Sequence, residues 1–358
     1  MPTLDAGGAE NYALRFINYC KEEYTFHVVS LVNRRGDLHD KFESNGSTIY
    51  YKPIGYLNFL KIYQFIKFLK INEFNTIATF NGNFGGIFMA TAKMAGIENR
   101  IALYRRSTIA YRNNFFKSAY TKIITYLVRR YATKILSNSE FALKNFHPNY
   151  YLNDRRYKVI ANGVDSEKFI SNLSIKEARK KLGITTDSLI IGNVGRFDPA
   201  KNHKTIFKVA GKILEFHKNI LFLFCGKGTD SQSFKNELIT YGIDKHSIAL
   251  GLQNDLPTVY RAIDIFYFPS LTEGQPNALI EAMLAGIPIV ASNIEPIKEI
   301  VPDELHGNLL DPLNTNENFN FMLKVITDMK LRQRLIKTEW AKRKFDKDTN
   351  FGLFKDEI

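Results

Sequence analysis

Two glutamates stand eight residues apart in TEGQPNALIEAMLAGIPIVAS, Thr272 to Ser292: Glu273 before a proline-started helical segment and Glu281 within it. A carboxylate outside the helix can accept hydrogen bonds from sugar hydroxyls, and one about a turn and a half inside can take a vicinal diol such as a ribose. Pro276 suits the first helical position, and Gly286 and Pro288 suit the exit. The unsatisfied N–H groups of the first turn would then open toward a polar ligand. The spacing by itself singles out nothing, because a chain with 36 acidic residues holds many such pairs.

Three further loops could bind anions. VGRFDPAKNH, Val194 to His203, puts Arg196 and Lys201 between an apolar strand and a helix. A turn glycine and two cations near a helix N-terminus make a diphosphate clamp, although two solvated surface cations would read the same way. LFCGKGTD, Leu223 to Asp230, places Gly226 in a turn whose backbone can approach a ligand closely, or can simply turn. Gly7 and Gly8 precede a helix beginning around Glu10, either as an anion-binding helix start or as a start with no ligand.

The elements that must position these loops alternate between short apolar runs and segments of helical period, which predicts parallel sheets with crossover helices. Strands are expected at Phe26–Val32, Thr48–Tyr51, Thr76–Phe80, Ile101–Tyr104, Lys134–Ser137 and Lys158–Ile160 in the first half. The second half offers Leu189–Val194, Ile220–Cys225, Ile248–Leu250, Ile265–Phe268, Ile287–Ala291 and Asn308–Leu310. Helices are expected at Tyr56–Lys70, Gly85–Ala95, Phe115–Tyr131, Lys204–Phe216, Gln232–Tyr241, Leu256–Ala262 and Asn277–Ala285. The turn-prone Asn-Gly pair in ANGVDSEKF divides the chain into a first domain over 1–160 and a second over 161–335, followed by a helical segment over 336–358. Open parallel sheets bind ligands beyond the carboxyl ends of their strands, so chemistry is expected in a cleft between the domains.

At 358 residues the chain is long enough for two such domains, and its 45% hydrophobic and 24% charged residues are those of a globular protein. No apolar run approaches the eighteen residues of a membrane span and no secretory leader is evident, which predicts a cytoplasmic location. Cys20 and Cys225 have no metal-ligand spacing and read as buried fillers. The net charge of +13 is uneven, with 23 Lys and Arg against 11 Asp and Glu over residues 1–160, and 26 against 25 in the remainder. Arg100 to Ser139 holds nine cations, no acid and seven tyrosine and phenylalanine residues. This composition suits an anionic membrane surface or phosphate-bearing acceptor better than a solvated face, and no nucleic-acid motif accompanies it.

GGAE at Gly7–Glu10, SNSE at Ser137–Glu140, NGVD at Asn162–Asp165, GRFDPAKN at Gly195–Asn202, CGKG at Cys225–Gly228 and EGQPNALIEAMLAGIPIVAS at Glu273–Ser292 occur in the order of the family 4 retaining glycosyltransferases, which the chain resembles over almost its whole length. The resemblance implies the GT-B fold, an α/β fold of two Rossmann-like domains with parallel sheets facing a cleft. It implies transfer of a sugar from a nucleotide diphosphate with retention of configuration and no metal or other cofactor. Arg196 and Lys201 would hold the diphosphate, Glu273 the donor sugar, Glu281 the ribose, and the backbone of Gly274, Gln275, Pro276 and Asn277 the sugar and phosphate. Leu250, Gly251, Leu252 and Gln253 would lie near the base, and Gly7, Gly8 and Gly226 near the phosphates.

Two features depart from the family pattern. Only MPTLD precedes Ala6, too little for the usual first strand, which predicts a natural start upstream or a trimmed copy. Where relatives carry a histidine after the fifth strand, this chain reads YRRSTIAYRN, leaving Arg105, Arg106 or Arg112 on the acceptor or membrane side. The leading expectation is a hexosyl or N-acetylhexosaminyl transferase, most simply using a UDP-sugar, that extends a lipid-linked or saccharide acceptor for bacterial surface polysaccharide at the inner membrane face. The alternatives are a silent partner subunit of another transferase and a nucleotide-sugar epimerase.

Overall fold

The computed structural model describes every residue except 56–57 and 107–114, and the backbone alone of 115–117. Its chain forms two compact units, one of Met1–Gly163 with Lys347–Ile358 and one of Val164–Asp346.

The first unit contains strands β1 His27–Ser30, β2 Thr48–Tyr51, β3 Thr76–Thr79, β4 Asn99–Tyr104, β5 Lys134–Ser137 and β6 Tyr157–Val159. Helices α1 Gly8–Cys20, α2 His39–Ser44, α3 Phe59–Ile71, α4 Gly86–Ala95, α5 Phe115–Tyr131 and α6 Glu140–Phe146 alternate with them. The strands run parallel in two sheets, β1-β2 and β3-β4-β5-β6. Beside β1, the Met1 amino group donates to the Val29 carbonyl at 2.8 Å and the Leu31 N–H to the Met1 carbonyl at 3.1 Å, a parallel-type pair. Strand β4 is buried from Arg100 onward, as its near-continuous apolar run requires of a central parallel strand.

Three of these helices lie side by side, α3 on α4 and α4 on α5. Together they carry eight Lys and Arg and no acid. The inner side of α3 packs Phe65 and Leu69 into the core while Phe59 is 82% exposed, Leu60 67% and Tyr63 65%. Lys61, Lys67 and Lys70 share its exposed surface. Asn58 caps α3 by accepting the Lys61 N–H at 3.0 Å. The start expected at Tyr56 lies outside the described residues.

The second unit contains β7 Leu189–Val194, β8 Ile220–Cys225, β9 Ser247–Ala249, β10 Ile265–Phe268 and β11 Ile289–Ala291, in a parallel sheet of order β11-β10-β7-β8-β9. Its helices are α7 Ile175–Lys181, α8 His203–Phe216, α9 Gln232–Thr240, α10 Leu256–Arg261, α11 Asn277–Leu284, α12 Glu295–Lys298, α13 Thr315–Thr327, α14 Met329–Arg334 and α15 Thr338–Lys344. The final helix, α16 Lys347–Lys355, belongs to the first unit, where Phe351 and Phe354 pack on Tyr12 and Phe16. Strand order reverses direction of growth around β7, the topology that puts ligand loops at strand carboxyl ends.

The expected elements recur with small shifts, and two require correction. Asn308–Leu310 is not a strand; a single parallel bridge joins Leu310 to Ser292, because residues 303–308 coil as a short 3-10 turn up to that point. Pro276 is the N-cap of α11 in extended conformation rather than its first helical residue, so the helix starts at Asn277. Both cysteines are buried, and burial pushes the Cys20 thiol up to about 12 and Cys225 to about 11.

Candidate active site

Loops after β7, β8 and β9 are joined backbone to backbone. The Gly195 N–H donates to the Cys225 carbonyl at 2.8 Å, Phe197 N–H to Lys227 at 2.9 Å, and Gly226 N–H to Gly251 at 2.8 Å. Gly226 has φ +141 and a Cβ there would collide with the Gly195 carbonyl, so this approach needs glycine. The Thr229 hydroxyl donates to the Gly226 carbonyl at 3.0 Å and accepts the Gly251 N–H at 3.1 Å, tying both glycine turns together. Gln253 folds back to donate to the Leu250 carbonyl at 2.6 Å, and Leu252 is half-exposed beside it.

Arg196 lies one residue past Gly195, which follows the end of β7, and is exposed. Lys201 sits at the end of a 3-10 turn over Pro199–Lys201, capped when Asp198 accepts the Ala200 N–H at 2.9 Å. Asn202 then takes a left-handed conformation, φ +55, that turns the chain into α8. Its amide donates to the Pro269 carbonyl at 3.0 Å and to Pro312 at 2.8 Å, which locks the β7 loop to the β10 loop. The Leu271 N–H to the Ala200 carbonyl at 2.8 Å repeats that tie.

Across this junction Lys201 Nζ meets Glu273 Oε1 at 2.6 Å, with only 18% and 10% of their side chains exposed. The ammonium also lies 5.0 Å from the centre of the Phe268 ring. Two of the residues the sequence singles out therefore hold each other in place. Gly274, Gln275 and Pro276 lead from Glu273 into α11, whose first turn has no side-chain cap and leaves its N–H groups directed out of the helix. Glu281 is 3% exposed, and the Tyr260 hydroxyl on α10 donates to its Oε2 at 3.0 Å. A nearly enclosed carboxylate needs such a donor, since burial without one is costly. Tyr260 and Asn202 are supports that the sequence did not disclose; each acts across a loop from a residue far away in the chain.

His203 opens α8 among Phe197, Phe207 and Phe234. Neither ring nitrogen has a hydrogen-bond partner among the described residues. Burial, helped by the Lys201 charge, lowers it to about 4, so this imidazole is neutral.

The remaining expected residues fall in the first unit. Gly7 is the extended N-cap of α1 and Gly8 its first residue, and a Cβ at Gly7 would collide with the Glu10 carboxylate. Arg105 follows β4, with its guanidinium 3.6 Å from the centre of the Tyr12 ring, whereas Arg106 is exposed. Arg112 lies outside the described residues. Among the described residues His39, Asp40 and Glu43 could hold a metal ion, but the two acids are exposed and Asp40 already pairs with Arg35.

The family model described as "Glycosyl transferases group 1" matches residues 174–340, and that described as "Glycosyltransferase Family 4" matches residues 6–168. A capsular polysaccharide biosynthesis glycosyltransferase of Staphylococcus aureus, CapH, is 30% identical over 83% of this chain and 81% of its own. The chain belongs to glycosyltransferase family 4. The family 4 chain is also 28% identical, over 74% of its length and 69% of the relative's, to the Escherichia coli UDP-Gal:alpha-D-GlcNAc-diphosphoundecaprenol alpha-1,3-galactosyltransferase. Its fold is GT-B: a solved structure of Anabaena Alr3699/HepE in complex with UDP and glucose superposes with a TM-score of 0.82 at 19% identity, covering 99% of this chain and 96% of that one. The chain is a glycosyltransferase.

Proposed function

We propose that this family 4 glycosyltransferase moves a hexose or N-acetylhexosamine from a UDP-sugar to a lipid-linked or saccharide acceptor, with retention of configuration, in bacterial surface polysaccharide synthesis. The observation that carries the donor half is the Lys201–Glu273 pair at 2.6 Å, ahead of the start of α11, which has no side-chain cap. The relatives named for a UDP-galactose donor and for capsule synthesis support the donor and the pathway class.

In this reading Glu281, oriented by Tyr260, takes the ribose diol, and Glu273 takes donor-sugar hydroxyls. The backbone from Gly274 to Asn277 and the turns at Gly226 and Leu250–Gln253 face phosphate, sugar and base. Arg196 and Lys201 stabilise the negative charge that grows on the diphosphate as the bond from the anomeric carbon to its oxygen breaks. The acceptor hydroxyl oxygen forms the new bond on the same face and gives its proton to the departing phosphate oxygen. In this reading Arg196 and Lys201 supply the positive charge that answers the diphosphate, and the transfer needs no metal.

The acceptor half rests on the first unit. Its acid-free helices α3, α4 and α5, with exposed Phe59, Leu60 and Tyr63, suit an anionic bilayer carrying a lipid-linked acceptor. No described helix is long and apolar enough to cross a membrane. In this reading the basic, apolar surface of α3 holds the enzyme as a peripheral protein on the cytoplasmic face.

Acceptor-dependent UDP release from a panel of UDP-sugars tests the proposal. One donor should support turnover only with a lipid-linked or saccharide acceptor, and Glu273→Ala should abolish it. Absence of nucleotide binding across the panel would overturn the reading.

A further inference from the structure

Among the described residues the partners of Arg105 are Asn162 and Tyr12, neither of them an anion. Arg105 follows β4 immediately, as Asn138 follows β5, and Asn162 lies just beyond β6. These positions share the carboxyl ends of one parallel sheet, the side on which such sheets bind ligands. Arg105 Nη2 donates to Asn162 Oδ1 at 2.5 Å, and Asn138 Nδ2 reaches the same oxygen at 3.4 Å. The guanidinium covers the Tyr12 ring, which rests edge-on against Phe351 and beside Phe354.

The half-buried charge thus lies on an aromatic floor and is met by a neutral amide and a phenol, with no carboxylate partner among the described residues. Burial lowers the guanidinium to about 10 against the pull of Tyr12, which leaves it a cation at neutral pH. A buried charge without a counter-charge is costly unless something else answers it, and such groups gather at functional sites. Among the described residues only part of the five-donor guanidinium is used, which leaves N–H groups for a ligand oxygen. At the end of the neighbouring β3, Asn81 Oδ1 is buried with no hydrogen-bond partner among the described residues.

We propose that Arg105, oriented by Asn162 over Tyr12, is an anion subsite of the first unit that binds a phosphoryl oxygen of a diphosphate ester. The inference rests on the glycosyl-transfer reading for its two ligand sources, the diphosphate of the nucleotide donor or that of a lipid-linked acceptor. Asn162 is a positioning residue in this account.

The full chain carrying Arg105→Met, Arg105→Lys or Asn162→Ala separates the sources. If the donor is the ligand, UDP affinity by calorimetry falls at least tenfold in Arg105→Met and about threefold in the other two. If the acceptor is the ligand, UDP affinity holds while KM rises at least tenfold for a polyprenyl-diphosphate acceptor. KM for the same sugar on an uncharged alkyl chain should then stay unchanged. A melting temperature lowered in Arg105→Met with both ligands unaffected would assign Arg105 to packing alone and overturn the proposal. If Arg105→Met does not fold, the Lys and Asn162 variants decide by the same measures. Inorganic pyrophosphate binding to the Arg196→Ala, Lys201→Ala protein reads the subsite without any transfer. Binding there that Arg105→Lys or Asn162→Ala weakens supports it even if no sugar is moved, and binding they leave unchanged overturns it.

Discussion

At the scale of single residues, the candidate site depends on charges that are held rather than free. Glu273 and Lys201 fix one another across two loops, so Glu273→Gln removes both a sugar acceptor and the lysine's anchor. Its kcat should fall by on the order of 10²–10³-fold, the scale of displacing the Lys201 charge that answers the leaving diphosphate, and the melting temperature should fall with the loss of a nearly enclosed ion pair. Tyr260→Phe tests the support of Glu281: deleting one hydrogen bond of about 1–2 kcal/mol should weaken UDP binding roughly five- to thirtyfold with kcat nearly intact. Two buried imidazoles give the molecule an acid-sensitive stability. His203 is lowered to about 4 and His147 to about 3, chiefly by burial, from an ordinary 6.5. Both stay neutral when folded and bind a proton when unfolded, so their contribution is complete above pH 6.5. It is lost as pH falls from 6.5 toward 4, at up to about 1.4 kcal/mol per pH unit for each group. Urea midpoints at pH 7.5 and 5 should show this slope, and His203→Leu should reduce it; an unchanged slope would remove His203 from the account.

At the scale of elements, the strands β5, β7, β8 and β10 stand where the apolar runs place them, because a strand buried on both faces leaves an unmixed hydrophobic signature. Glu273, Glu281, Arg196 and Lys201 were legible as candidates because each lies in a loop or helix start that follows such a strand. Their mutual contacts were not, since Lys201 and Glu273 are separated by the whole of α8 to β10 and only the fold brings them together. The same holds for Tyr260, an ordinary apolar position of α10 until Glu281 is packed against it. Asn308–Leu310 misled because an apolar pair beside β11 needs only one bridge to be buried. Gly226 is the element-level weak point: Gly226→Ala imposes a strained φ and a collision with Gly195, which should cost at least about 1–3 kcal/mol and disrupt nucleotide binding. Helix α3 makes the complementary prediction for the first unit. Phe59→Ser with Leu60→Ser should cut cosedimentation with phosphatidylglycerol vesicles severalfold and leave UDP affinity unchanged, whereas equal binding of the variant would remove α3 from the membrane surface.

At the scale of the molecule, the charge is divided as the labour is. The cations in excess lie in residues 1–160, and the donor candidates Arg196, Lys201, Glu273 and Glu281 lie in the nearly neutral remainder. Raising salt from 50 to 300 mM should therefore weaken vesicle binding strongly and UDP binding less, because exposed cations are screened while the enclosed Glu273 and Glu281 are not. The central claim is that the second unit holds the nucleotide sugar through these residues, and a crystal structure with a UDP-sugar bound tests it most directly. The account predicts the Glu281 carboxylate within about 3 Å of the ribose hydroxyls, Arg196 and Lys201 on the diphosphate, and Glu273 on the sugar. A UDP-sugar seated away from Glu281 and Lys201 would contradict it.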